Sequence, residues 1–376
     1  MKIGIDIRPL QEENISGVGE YLFYLLKYLA KNETKNKYVL LANSFHEPKI
    51  PKFIENSNKF ELKKYRIPNK IFNLCQVIFK YPKLDKLLGG VDILFLPNIT
   101  FTSVSSNCKL ILTVHDLSYL QYKEYLSWKR KIWHKIVNPK SLIKRADKII
   151  AVSESTKREL EDLLNVSQDK IDVIYSGISY KDNKKEINTK SKYSTGNKYI
   201  LALGVLEPRK NIYGLIKAFS ELNEKYSNYK LVIVGKMGWK NKMLSTLNNK
   251  NIIYTGYVTE AEKNDLFSKA EVFIYPSFYE GFGFPPIEAL LHNKKVITSN
   301  TTSFPEIVGQ FVTMVDPNNK NDIKQALEIN INKNQEIKPE IIVDLKEKLD
   351  WQKTAQKVEN LFIKIKNRFD QIAKST

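Results

Sequence analysis

The stretch YEGFGFPPIEAL, residues 279–290, places Glu280 and Glu288 eight positions apart, with Gly281, Gly283, Pro285 and Pro286 between them. Paired prolines suit the first turn of a helix, which puts Glu288 within that turn and Glu280 in the loop before it. The two carboxylates are therefore not a same-face helical pair. Glycines at 281 and 283 free the loop to bend round a ligand. A carboxylate accepts hydrogen bonds from hydroxyls in pairs, so two of them near an anion site suggest a polyhydroxylated ligand such as a sugar nucleotide. Helix capping alone would explain Glu288 but not Glu280.

A cationic pair supplies the anion site. In VLEPRKNIYGLIKAF, Arg209 and Lys210 precede a helix whose start is marked by Asn211. Cations are poorly placed at a helix N-terminus, where the backbone dipole favours anions. The arrangement makes sense if both side chains and the helix end face one phosphate, each charge-assisted bond contributing about 1.5–3 kcal/mol. A solvated basic turn is the alternative. Two further positions follow apolar runs. His115-Asp116 ends KLILTVHD, as a ligand contact or as a buried histidine satisfied by a neighbour. Gly17 and Gly19 flank Val18 before a helix, as a close-approach turn for an anion or as a plain helix entry. Leu22 stands where a dinucleotide fingerprint needs its third glycine, and no G-x-x-x-x-G-K-[ST] loop exists.

The elements that must hold these residues are legible as alternation. KIGIDI, KYVLLA, VDILFLP, KLILTVHD and KIIAVS read as strands of a mostly parallel sheet, with helical stretches such as Gly19–Lys31 and Tyr122–Lys144 between them. KYILALG, YKLVIVG, NIIYTG, EVFIYPS and KKVITS restart the series. Two βα series imply an α/β chain of two doubly wound domains, in which ligands bind beyond the carboxyl ends of the strands. The expected boundaries are a first domain over 1–178, a linker and surface loop over 179–198, a second domain over 199–350 and a terminal helix over 351–376.

Composition narrows the class. A hydrophobic content of 42% with 11% aromatics is globular. Two cysteines, Cys75 and Cys108, cannot form a disulfide framework or a zinc cage, and none of the four histidines lies at an H-x-x-x-H spacing, so no metal site is expected. MKIGIDIRPL already alternates like a strand, so no signal peptide is expected. No apolar run approaches the roughly 18 residues of a spanning helix. The expected location is cytoplasmic. A net charge of +19 suggests anionic partners or a lysine-rich compositional habit. Residues 122–148 hold nine Lys or Arg against Glu124 and Asp147, a net of +7, whereas the whole of residues 1–177 nets +10 from 29 basic and 19 acidic residues. Trp128, Trp133, Tyr122 and Tyr125 lie among these charges. The stretch is either a helix resting on an anionic bilayer or a surface helix with its tryptophans inward.

Taken together, GIDIRPL…SGVGEY, TVHDLSYL, RADKIIAVSESTKREL, LGVLEPRKN, LVIVGKMGW and EGFGFPPIE resemble the retaining GT-B glycosyltransferases of family 4, whose E-x7-E motif the last segment matches. The resemblance spans nearly the whole chain and is closest to the bacterial mannosyltransferases that build O-antigen. It implies two Rossmann-like domains facing across a cleft, a terminal helix returning to the first domain, and a hexosyl transfer from a nucleotide diphosphate sugar, GDP-mannose by family, to a glycan or polyisoprenoid-linked acceptor. No cofactor is implied. Glu280 would touch donor-sugar hydroxyls and Glu288 the ribose. Arg209, Lys210 and the backbone N–H groups near Gly283 and Phe284 would hold the diphosphate. The Gly17–Gly19 loop would face the diphosphate and acceptor, and His115 the transferred sugar. Val205 follows Gly204 where many members carry Arg, a departure that Arg209 would compensate. No D-x-D triplet occurs, so metal-independent transfer is expected. A non-hydrolysing sugar-nucleotide epimerase on the same fold and a basic nucleic-acid-binding module are the rival readings, the second without a recognisable motif.

Overall fold

The computed structural model describes residues 1–12, 16–178, 188–238, 249–333 and 337–375, with side chains described as far as residue 367. The chain divides into two compact units. One comprises Met1–Leu117, Trp128–Gly177 and Leu349–Thr376; the other comprises Ser118–Ser127 and Ile178–Lys348.

The first unit is built on seven strands: β1 (Lys2–Asp6), β2 (Lys37–Asn43), β3 (Phe60–Tyr65), β4 (Ile93–Leu96), β5 (Lys109–Val114), β6 (Lys148–Ala151) and β7 (Ile171–Val173). They pair in parallel in the order β3-β2-β1-β4-β5-β6-β7. Ile3, Ile5, Leu40, Phe95 and Ile111 are wholly buried, as strands covered on both faces require. Helix Gly17–Leu29 presents Tyr21, Leu22, Leu25, Leu26 and Leu29 to this core, one helical face at 3.6-residue spacing. The terminal helix Trp351–Ser375 packs Trp351, Ala355, Val358 and Phe362 into the same core. Its buried Glu359 accepts hydrogen bonds from the Tyr38 hydroxyl at 2.9 Å and the Asn32 amide at 2.9 Å. At Gly177 a side chain is impossible, because a Cβ would lie 2.4 Å from the Trp351 ring.

The second unit carries β8 (Lys198–Leu203), β9 (Tyr229–Val234), β10 (Ile252–Gly256), β11 (Val272–Tyr275), β12 (Lys295–Ser299) and β13 (Thr313–Val315), all parallel, in the order β10-β9-β8-β11-β12-β13. Helices Ile212–Asn223 and Lys320–Asn332 bury Leu215, Ile216, Phe219, Ile323 and Leu327 with Ile200, Ile233 and Ile274. In each sheet the strand order reverses once, between β1 and β4 and between β8 and β11. A crevice opens beyond the strand ends at such a reversal.

Three local readings change. The basic stretch is not one helix from Tyr122 to Lys144. It is a 3-10 turn, Lys123–Tyr125, then helices Trp128–Val137 and Pro139–Arg145. Asn138 sits left-handed at φ 50°, a state asparagine adopts more readily than most residues, and its side chain caps the second helix by accepting from Ser141 N at 3.3 Å. Residues 118–127 group with the second unit rather than with residues 1–117, because Tyr122 packs on Tyr279 at 5.4 Å and Tyr125 on Phe278 at 6.1 Å. Of the linker over 179–198, residues 179–187 lie outside the described residues, and the rest holds a short helix, Thr189–Tyr193.

Candidate active site

In the second unit the loops after β8 and β11 meet at the strand-order reversal. The β8 loop starts at Gly204, φ 138°, and passes so close to the β9 loop that a Cβ on Gly235 would lie 1.9 Å from the Gly204 carbonyl oxygen. Pro208–Lys210 form a 3-10 turn, and Asn211, left-handed at φ 54°, starts the next helix without a side-chain cap. Its amide instead donates to the Pro317 carbonyl at 2.6 Å.

This turn aims both cations at Glu280. Arg209 Nη1 lies 3.0 Å from one Glu280 oxygen and donates to the Tyr279 carbonyl at 2.9 Å. Lys210 Nζ bonds the other Glu280 oxygen and the Tyr275 hydroxyl. Glu280 and Lys210 are nearly enclosed, each 8% exposed, and Arg209 is partly buried. Burial pushes the Glu280 carboxyl up, but Arg209 and Lys210 together outweigh it and hold it at about 2. Burial, then the Arg209 charge, brings Lys210 down to about 8 against the opposing pull of Glu280. Buried Glu207 also pairs with Arg209 at 3.7 Å, so the cluster holds two cations and two carboxylates, and no surplus charge is left inside it. Arg209 and Lys210 thus do not stand free for a phosphate; they share a carboxylate that divides their field.

Gly283 closes the loop. It is left-handed at φ 90°, and a Cβ there would lie 2.5 Å from the Phe304 ring. It is the N-cap of helix Phe284–Leu291. Pro285 and Pro286 carry no N–H, so the donors open at this helix end are those of Gly283 and Phe284. Glu288 is the fifth residue of the helix, beyond the first turn in which the proline spacing placed it, and the first turn holds no acid. Lys263, from helix Glu260–Lys269, pairs with it at 3.0 Å. Burial raises the Glu288 carboxyl against the pull of Lys263.

The sequence reading missed what holds the Glu280 loop in place. The segment after β12 grips it by side chains. Ser299 Oγ donates to the Ser277 carbonyl at 2.6 Å, and Thr301 Oγ1 to the Phe278 carbonyl at 3.2 Å. Ser303 Oγ reaches the Glu280 and Phe282 carbonyls at 3.1 and 3.0 Å. The Glu280 N–H donates to Thr302 Oγ1 at 3.2 Å. Thr302 is left-handed at φ 54°, an uncommon state for a β-branched residue. The available signal was a run of hydroxyl residues, SNTTS, directly after an apolar strand.

The first unit gathers the remaining candidates. Gly17 opens the helix rather than preceding it, and nothing lies within 4 Å of where its Cβ would be. Ser16 Oγ accepts from Gly19 N at 3.4 Å, which leaves the Gly17 and Val18 N–H groups as first-turn donors. One turn on, buried Tyr21 meets the His115 ring edge-on at 5.0 Å. His115 Nε2 lies 2.8 Å from the Pro97 carbonyl oxygen. A carbonyl only accepts, so Nε2 carries the proton and Nδ1 keeps a lone pair. Burial lowers the pKa of His115, so the ring is neutral at pH 7. The β4 loop is itself pinned: Arg8, paired at 2.6 Å with wholly buried Asp6, donates to the Phe101 carbonyl at 2.9 Å. Among the described residues no group of three or more His, Cys, Asp or Glu could hold a metal ion.

Comparison with known proteins agrees with this architecture. The family model for Glycosyltransferase Family 4 matches residues 15–181, and that for Glycosyl transferases group 1 matches residues 183–356. The serotype-specific mannosyltransferase WbdA of Escherichia coli is 31% identical over 235 residues, 58% of this chain and 29% of that protein. The O-antigen chain mannosyltransferase B of Escherichia coli is 32% identical over 226 residues, 56% of this chain and 58% of that one. The matches thus span well under two thirds of either relative. The fold is also that of Anabaena HepE, solved with UDP and glucose, at a TM-score of 0.69 and 16% identity over 96% of this chain and 98% of that one. The chain has the GT-B fold and belongs to the family 4 glycosyltransferases.

Proposed function

We propose that the protein is a retaining hexosyltransferase that moves mannose from GDP-mannose to a lipid-linked glycan at a membrane surface. The observation that carries this reading is the buried Arg209–Lys210–Glu280 cluster beside the Gly283 and Phe284 N–H groups, at the strand-order reversal of the second sheet. A diphosphate placed there would meet two cations and two backbone donors fixed before it arrives, which is how a preorganised site stabilises charge that develops as a leaving group departs. Glu280 would then turn oxygens toward sugar hydroxyls, and Glu288 with Lys263 would hold the ribose. His115 Nδ1 can accept a bond from a hydroxyl of the transferred sugar.

In the proposed step the bond from the anomeric carbon to the phosphate oxygen breaks while the bond to the acceptor oxygen forms on the same face. The acceptor proton passes to the departing phosphate oxygen, so no protein base is required. The charge is met by Arg209, Lys210 and N–H groups, and activity should persist in EDTA. The mannosyl, O-antigen-type assignment is supported by the likeness to the two Escherichia coli mannosyltransferases.

A donor screen tests the reading. GDP release from GDP-mannose is expected, stimulated by a polyisoprenoid diphosphate glycan. Release only from UDP-sugars would replace the donor, and interconversion of sugar nucleotides without release would favour an epimerase. Release from no donor would overturn the transferase reading.

A further inference from the structure

Helix Asn69–Ile78 of the first unit leaves an apolar face uncovered. It turns Phe72 and Gln76 inward and leaves Ile71, Leu74 and Ile78 55%, 55% and 59% exposed. Spacings of three and four place these three on one stripe. Phe79 and Tyr81, just beyond the helix, are 70% and 67% exposed. A lone exposed apolar residue is ordinary, but five adjoining ones form a patch of the kind that marks an interaction surface.

The helix Trp128–Val137 repeats the pattern. Trp128, Ile132 and Ile136, four apart, are exposed on one stripe, flanked by exposed Lys129, Arg130, Lys131 and Lys135. The two tryptophans part ways: Trp133 packs against Phe101 at 5.9 Å, and only Trp128 faces outward. Both helices rest on the same segment after β4. The Gln76 side chain accepts from Ser103 N at 2.6 Å, and Arg8 lies over the Phe72 ring while donating to the Phe101 carbonyl.

We propose that these two stripes form one docking face for an anionic bilayer, with Asn69–Ile78 as the inserting element and Trp128–Val137 as its basic companion. This extends the membrane placement of the acceptor to a helix outside the basic stretch, and it does not depend on the transfer chemistry. Charge selects the occupant. Lys70, Lys80, Lys83 and Lys86 lie in or just beyond helix Asn69–Ile78 in sequence, and the one acid between residues 62 and 91, Asp85, is buried and accepts from Ser105 N at 2.8 Å. A second copy would set lysines against lysines, whereas anionic headgroups match them while the apolar stripe enters the acyl boundary.

Flotation with vesicles of phosphatidylcholine, with and without phosphatidylglycerol, tests this on the full chain. The wild type should float only with the anionic vesicles, and less at high salt. Replacing Ile71→Ser, Leu74→Ser and Ile78→Ser together should reduce the bound fraction at least tenfold, and so should Lys129→Ser, Arg130→Ser, Lys131→Ser and Lys135→Ser together. These side chains are exposed, so an unchanged thermal transition should confirm folding. Sugar transfer to a short soluble acceptor should not change in either variant; its absence in all proteins would count against the transferase reading and not against docking. Wild-type flotation by the Ile71/Leu74/Ile78 variant would remove Asn69–Ile78 from the face. Equal binding to neutral vesicles, or no binding, would overturn the proposal. So would a dimer, seen by analytical ultracentrifugation, that the same variant dissolves.

Discussion

The two units solve the crevice at their strand-order reversals in opposite ways. In the second unit the crevice is dense with charge: two cations, Arg209 and Lys210, and two carboxylates, Glu207 and Glu280, each compensating another's burial. In the first unit the candidate contact is an uncharged histidine held by a backbone carbonyl and an aromatic edge, and the Arg8–Asp6 pair that pins the β4 loop is matched in charge. Desolvation is the reason the difference matters. A buried charge stays charged only with partners, and in the second unit Arg209, Lys210, Glu207 and Glu280 supply them to one another. A neutral imidazole offers a lone pair at Nδ1 and carries no charge that needs a partner.

The sharpest way to break the contrast is Lys210→Ala. It leaves Glu280 buried with Arg209 alone, and breaking one partner of a buried pair costs about 3–5 kcal/mol. Thermal stability should fall and donor affinity should fall further than stability alone explains, which calorimetry and donor titration would separate. Wild-type donor affinity in a folded Lys210→Ala protein would mean the cluster is only structural.

His115→Ala is the counterpart in the neutral half. Turnover should drop about 10–100-fold, of the order of a lost polar contact made in the transition state, with little change in donor affinity. An equal loss in both would place His115 in ground-state binding.

Acidity separates the halves more finely. Lys210, brought to about 8 by burial and Arg209, should lose its proton as pH rises through that value, and the donor KM should climb there; Lys210→Arg should abolish the inflection. Glu280, at about 2 when folded against a usual 4.5, contributes stability that is complete above 4.5 and lost as pH falls toward 2. Burial lowers the His115 pKa from 6.5, so its contribution is complete above 6.5 and declines below it. Glu280→Gln should flatten the acid limb of a stability–pH curve measured by chemical denaturation.

The smallest effect tests how the charged half is held. Thr302→Asn removes the β-branch at a left-handed position that Asn tolerates, but also moves the oxygen that accepts from Glu280 N–H. Stability should hold or rise slightly while turnover falls a fewfold. Unchanged turnover would mean that this contact does not help to position Glu280.

What could be read from the chain was the part in which local pattern and chemistry coincide. Ten strands announce themselves as apolar runs because parallel strands covered on both faces must be apolar throughout. The three that do not, β3, β7 and β13, all lie at sheet edges. FELKKY at β3 carries three charges because one side of an edge strand meets water. His115, Arg209, Lys210 and Glu280 were legible as candidates because each follows a strand end with a residue type that a buried position tolerates only with a partner.

The partners themselves were decided by tertiary structure. Sequence order shows Arg209 and Lys210 seventy positions from Glu280, and no local rule says that they share a carboxylate. Lys263 reaches Glu288 from a different helix, and hydroxyls after β12 hold a loop after β11, because neighbouring parallel strands bring their carboxyl-end loops together whatever their separation in the chain. The amino-acid sequence by itself determined the two βα series, the glycine and proline punctuation and the kinds of groups at the strand ends, since these follow from short-range sterics and solvation. Which charges neutralise which, which tryptophan faces outward, and that His115 is neutral with its proton on Nε2 are properties of burial and geometry, and those exist only once the sheets have formed.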